Sequence, residues 1–164
     1  MRKLILSIFI VTLALIFLFA VGIRMRAEKD SSFGKQLFDG RFPHEYFELA
    51  ADFSLLEQKH QSSVLVLFNP ECEVCYSEIN SIIKKKYLFS KSNLVLATTA
   101  DSLVTLDYIT KFDFSGFNAL KIGTLHSSVL ERYIIPYPTV IVYDQEGNFL
   151  RGFKGSVEPE NILK

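Results

Sequence analysis

Val64-Leu65-Val66-Leu67-Phe68-Asn69-Pro70-Glu71-Cys72-Glu73-Val74-Cys75-Tyr76-Ser77-Glu78-Ile79-Asn80-Ser81-Ile82-Ile83 changes character twice along its length. Val64 to Phe68 is a short apolar run, the pattern of a strand buried on both faces. Asn69 and Pro70 break that run. Past Cys72, the residues Ile79, Ile82 and Ile83 recur at helical spacing. The reading is strand, tight turn and helix, with a Cys-x-x-Cys motif at the helix start.

That position carries the chemistry. The thiolate is the nucleophile, and an ordinary cysteine is mostly thiol at neutral pH. A helix N-terminus offers unpaired N–H groups and the positive end of the helix dipole, both of which favour negative charge. Cys72 is therefore expected to be exposed and to have a lowered pKa. Cys75, one turn on and on the same face, is placed to resolve the mixed disulfide that Cys72 forms. Three other uses of the pair stand beside this one. A structural disulfide across so short a loop restricts the unfolded chain little. A zinc site needs more ligands, and His44, His60 and His126 are scattered without ligand spacing, so no metal is expected. Covalent haem needs His directly after the second cysteine, where Tyr76 stands.

Outward from the motif, the 164 residues suit one domain with an appendage. Formal net charge is +0 and no basic patch stands out, so nucleic acid is not an expected partner. Both cysteines of the chain belong to the motif, which leaves none to carry a lipid. Leu4 to Ile23 is apolar apart from Ser7, Thr12 and Gly22. About 20 such residues span the hydrocarbon core as a helix. The run is long for a signal-peptide h-region of about 7–15 residues, and Ala20-Val21-Gly22 is a poor cleavage site. An uncleaved transmembrane anchor over residues 4–23 is expected, contacting the lipid bilayer; secretion after signal cleavage is the alternative. Arg2 and Lys3 before the segment and Arg24, Arg26 and Lys29 after it leave the charge rule for orientation balanced. Residues 24–42 read as a linker, and 43–164 as the folded domain.

Within the domain, Tyr46, Phe47, Leu49, Phe53, Leu55 and Leu56 suggest one or two edge elements. The cysteine-bearing helix is expected to end near Lys84-Lys85-Lys86, where basic residues suit the negative helix end. Asn93–Thr99 reads as a second buried strand. Asp101 or Ser102 can cap a helix whose buried face is expected from Leu103, Leu106 and Ile109. Phe112, Phe114 and Phe117 read as core, and Asn118–Ile122 as a short strand. A short helix follows Ser127-Ser128, with His126 near its start as a capping or surface residue. Thr139–Tyr143 is an apolar run directly after Pro138. Asp144-Gln145-Glu146-Gly147-Asn148 reads as a hairpin turn, and Phe149–Phe153 as the antiparallel return. Pro159–Leu163 begins a last helix of about one turn.

These pieces in this order resemble the thioredoxin fold over about Pro43 to Lys164. Its strongest points are the Phe68–Cys75 motif and Tyr137-Pro138-Thr139. The resemblance implies a central mixed β-sheet flanked by helices. It also implies a cis proline at Pro138, facing the cysteines, with Tyr137 offering its backbone to a substrate strand. An edge-strand proline is the other local reading of Pro138. Within the fold, the N-terminal apolar segment and Cys-x-x-Cys-x-x-Glu look similar to membrane-tethered TlpA/ResA-like thiol-disulfide oxidoreductases. This implies a periplasmic body, Cys72 as nucleophile, Cys75 as resolving thiol and a reversible Cys72–Cys75 disulfide. It further implies Glu78 as a proton relay, Tyr137, Pro138 and Thr139 as substrate-binding residues, and no cofactor beyond the cysteine pair. Protein thiols and disulfides are the implied substrates, with a membrane electron donor as further partner. Glu78 has a second reading, as an exposed helix residue paired with a lysine. The chain departs from thioredoxin itself: Val66 replaces a buried Asp, Glu71 replaces a Trp, and Glu73-Val74 replaces Gly-Pro. Carboxylates beside Cys72 oppose thiolate formation, which points to a reductant.

Two other functions remain at this level. A thiol peroxidase needs an Arg near its reactive cysteine, and none lies between Arg41 and Arg132. A non-catalytic module would keep the fold for binding, or hold a soft metal through the two sulfurs.

Overall fold

A computed structural model describes residues 12–17, 35–52 and 62–164. Residues 12–17 are helical. The remainder of the apolar segment 4–23 and residues 24–34 of the expected linker lie outside the described residues, as do Phe53, Leu55, Leu56 and His60. Among the described residues, no helix is long and apolar enough to cross a membrane.

The body is built on six strands in the order β1-β4-β3-β2-β5-β6. They are β1 (Phe47–Asp52), β2 (Ser63–Leu67), β3 (Asn93–Thr98), β4 (Leu120–Leu125), β5 (Thr139–Tyr143) and β6 (Phe149–Lys154). Strands β2, β3 and β4 run parallel, while β1, β5 and β6 are antiparallel to β4, β2 and β5. Among the described residues of the body, four α-helices accompany them: α1 (Glu73–Lys84), α2 (Ser102–Ile109), α3 (Ser128–Arg132) and α4 (Pro159–Ile162). This is the mixed sheet flanked by helices that the resemblance implies.

β2 is the middle of the sheet, and its alternation builds two cores. Val64, Val66 and Phe68 join Cys75, Ile79 and Ile82 of α1 on one face. Leu65 and Leu67 join Val129, Ile141 and Tyr143 on the other. The second core also buries Leu37 and Phe38. Both were expected in the linker, so the packed body reaches back past Pro43 at least to Leu37. These side chains fill space beneath the sheet that α3, five residues long, does not cover alone.

Two local expectations change. α2 buries Thr105, Tyr108 and Ile109. Leu103, expected inside, is 79% exposed and Leu106 is 40% exposed. The packed stripe is shifted by two residues because Tyr108 fits against Phe68, with ring centroids 5.3 Å apart. β4 begins at Leu120 and runs on through Gly123 and Thr124, beyond the apolar stretch expected. Gly123 is required there: an added Cβ would meet Glu48 O at 2.3 Å and Phe47 Cζ at 2.4 Å. The expected last helix is there as the single-turn α4, with Ile162 fully buried in the same core as α1.

Candidate active site

Phe68 leaves β2 still tied to the sheet, its N–H donating to Ala97 O at 2.9 Å. Asn69 then organises the turn. Its side-chain oxygen accepts from Glu71 N–H, and its carbonyl from Cys72 N–H. Cys72 has extended backbone angles and is the N-cap of α1. Its Sγ accepts from Cys75 N–H at 3.3 Å, so a backbone donor of the first turn points at the sulfur. A helix N-terminus favours negative charge placed against it.

The two cysteines differ in environment. Cys72 is partly exposed and Cys75 is fully buried; both are free thiols here. Burial is the main reason that the Cys75 thiol is pushed up to about 12. A backbone N–H bond at Asn69 pulls the other way, while the hydrogen bond to Cys72 and the charges of Cys72 and Glu78 add to the rise. Cys75 therefore holds its proton in the reduced protein.

Glu78 lies one turn past Cys75 and is 1% exposed. The reading that paired it with a lysine on the surface is overturned. Its Oε2 accepts from Ser156 Oγ at 2.5 Å and from Val157 N–H at 3.1 Å. Its Oε1 is buried with no partner among the described residues. Burial raises the Glu78 carboxyl above its ordinary range, against the lowering effect of the Ser156 and Val157 bonds. The protein has thus placed its buried acid on the helix, whereas Val66 on the strand is packed in the core.

This burial has a consequence for stability. A carboxyl whose folded pKa is raised binds more protons folded than unfolded in the window between the two values. Its contribution is therefore complete below the unfolded value, near 4.5, and is lost as pH rises through the folded value. Glu78→Gln should abolish that loss, so its melting temperature should fall less than that of the wild type between pH 4.5 and neutral. Thermal melts across this range check it; parallel profiles would contradict the buried, raised carboxyl.

The facing wall comes from the segment before β5. The Tyr137-Pro138 peptide is cis. Pro138 O accepts from Gly155 N–H at 2.8 Å, and Thr139 Oγ1 donates to Pro136 O. Thr139 is fully buried and pairs with Leu67, which fixes this segment beside the end of β2. No described residue bonds to the backbone N–H or C=O of Tyr137. Its ring packs against both cores, and its hydroxyl and Thr99 Oγ1 are 3.0 Å apart. Burial raises the Tyr137 hydroxyl, against the lowering effect of its bond with Thr99. Cys72, Cys75, Glu78 and Tyr137 thus gather around the first turn of α1, with Thr139 behind them as a structural anchor.

Three participants were not foreseen. Ser156 and Val157 reach Glu78 from a distant loop, with no local sequence signal. Tyr108 is buried beside the motif, and only an aromatic within α2 hints at it. His126 is where a capping role puts it, its Nδ1 2.9 Å from Ser128 Oγ. Among the described residues, no three His, Cys, Asp or Glu side chains cluster as a metal site would require.

No protein-family profile matches the chain, and no curated protein matches it. Solved structures do. The exposed lipoprotein thioredoxin Etrx1 of Streptococcus pneumoniae matches at 18% identity, with 69% of this chain and 96% of that one covered and a TM-score of 0.53. StoA of Bacillus subtilis matches at 18% identity over 65% of this chain and 82% of its own, with a TM-score of 0.51. A thiol-disulfide isomerase of Corynebacterium glutamicum matches at 12% identity over 75% and 90%, with a TM-score of 0.56. With its strand order, its cis proline and its cysteine pair at the start of α1, the chain has the thioredoxin fold.

Proposed function

We propose that the protein is a membrane-tethered thiol-disulfide oxidoreductase that reduces protein disulfides outside the cytoplasm. One observation carries this reading: a partly exposed sulfur capping a helix, backed by a fully buried thiol that keeps its proton. In the first step Cys72 Sγ, as thiolate, attacks a substrate disulfide. A bond forms between Cys72 and one substrate sulfur, and the other leaves as thiolate and takes a proton from solvent. Cys75 then gives up its proton and attacks Cys72 Sγ. The Cys72–Cys75 disulfide forms and the second substrate sulfur leaves. The substrate gains two electrons and the cysteine pair loses them, so an external donor of electrons must restore the dithiol.

The direction follows from the same geometry. Burial and the negative charge of Glu78 disfavour the Cys75 thiolate. A pair is strongly oxidising when its reduced form is stabilised, and this one lacks that stabilisation at Cys75. Glu78, with one carboxylate oxygen unpartnered, is the acceptor for the Cys75 proton. Tyr137 receives an extended substrate segment through its free backbone groups. The apolar run 4–23 supports tethering to the bilayer, and the likeness in fold to Etrx1, an exposed lipoprotein thioredoxin, supports an extracytoplasmic redox role. The purified body should accelerate reduction of a protein disulfide such as insulin by a small dithiol. A rate equal to that of the Cys72→Ser variant would overturn the reading.

A further inference from the structure

Tyr108 belongs to the buried cluster that holds Cys72 and Cys75, yet its hydroxyl has no partner among the described residues. Its ring is held on several sides. It stacks on Phe68 with planes 22° apart, packs edge-on against Phe112 at 5.3 Å, and lies beneath Lys111 Nζ at 5.3 Å. Phe112 in turn meets Tyr76 of α1 at 4.9 Å. This aromatic cluster fixes the ring beside the first turn of α1. A buried hydroxyl without a hydrogen bond is costly, and a phenylalanine would fill the same space without that cost.

The charge around this hydroxyl shows where its donor is useful. Burial raises the Tyr108 hydroxyl far above its ordinary range, and negative charge developing on Cys75 would raise it further. It therefore stays an O–H, with a proton to share, throughout the physiological range. Cys75 faces the opposite problem. It must become a thiolate inside the protein, with Glu78 as the other charged group acting on it. A hydrogen bond to the charged form is the direct remedy.

We propose that the Tyr108 hydroxyl donates a hydrogen bond to Cys75 Sγ as that sulfur takes up negative charge to attack the Cys72 mixed disulfide. This rests on the dithiol reading above and adds to it a donor for the resolving step. The proton of Tyr108 stays on its oxygen. The proton of Cys75 leaves to Glu78 or solvent, the Cys75–Cys72 bond forms, and the bond from Cys72 to the departing sulfur breaks. In the reduced protein Cys75 keeps its proton, and the Tyr108 hydroxyl has no hydrogen-bond partner among the described residues.

The test separates the two steps with an aromatic disulfide, Ellman's reagent. Attack by Cys72 releases one coloured thiolate, and attack by Cys75 releases the second. Tyr108→Phe should slow the second release about tenfold, the effect of losing a hydrogen bond to a charged group, and leave the first within about twofold. Its melting temperature should match or exceed that of the wild type, since the orphan hydroxyl is gone. Phe112→Leu, which loosens the same cluster and keeps the hydroxyl, should leave both releases within about twofold. Equal second-release rates in wild type and Tyr108→Phe would overturn the role of Tyr108 alone. Equal slowing by Phe112→Leu would also overturn it, in favour of packing. A wild type that never makes the second release would remove the dithiol reading, and the proposal with it.

Discussion

Cys72→Ser abolishes turnover of protein disulfides, by about a thousandfold or more, because no other sulfur reaches the surface at this site. Cys75 is fully buried and holds its proton to about 12, so it cannot take over as nucleophile. Cys75→Ser behaves differently. Cys72 still caps α1 and still attacks, but nothing resolves the product. The variant should accumulate a covalent mixed disulfide with its substrate, seen as a higher band on a non-reducing gel that collapses with reductant. The asymmetry between the two substitutions is the informative result. Equal losses without any trapped adduct would mean that the cysteines serve structure and not exchange.

Glu78→Gln carries the second large effect, and its sign discriminates between two physical pictures. As a fixed charge, Glu78 raises the Cys75 thiol. Removing that charge would ease thiolate formation and speed resolution. As a proton acceptor, Glu78 takes the proton that Cys75 must lose, and its removal slows resolution. A positioned base contributes about 10²–10⁴-fold, while the charge is the last of the influences on Cys75. The expected outcome is therefore a resolving step slowed by about a hundredfold. The pH profile should change as well. In the wild type the rate should climb as the raised Glu78 carboxyl ionises and then level off. In Glu78→Gln it should rise about tenfold per pH unit towards the Cys75 value. Stopped-flow release of the second thiolate measures both, and a faster Glu78→Gln enzyme would leave only the electrostatic role.

The parts of this site legible in sequence are those encoded locally. The apolar run of β2, the break at Asn69-Pro70 and the isoleucine stripe of α1 place Cys72 and Cys75 without any tertiary information. The turn after β5 is equally local, since Asp144 caps it by accepting from Glu146 and Asn148 N–H. Pro138 was legible only through the resemblance, because an isolated proline before an apolar run has an edge-strand reading too. Residues whose state is set by packing were misread or left open. Hydropathy favours Leu103 and Leu106 as the inner face of α2, yet Thr105 can enter the core because its hydroxyl bonds Asp101 O at 2.8 Å. Tyr108 follows it inward to stack on Phe68. Glu78 looks like any helix glutamate in sequence; its burial depends on Ser156 and Val157, far along the chain. Leu37 and Phe38 sit in a polar, glycine-containing stretch that reads as tether, and only the second core shows what they fill.

The most direct test of the account is the redox equilibrium of the Cys72–Cys75 pair. The full-length protein would be equilibrated in buffers of graded dithiol-to-disulfide ratio, quenched with acid, and its free thiols tagged with a mass-shifting alkylator. A single two-electron transition is expected, with both thiols lost together and both regained by mild dithiol, at a potential on the reducing side. A disulfide that resists mild dithiol, or thiols that never pair, would contradict it.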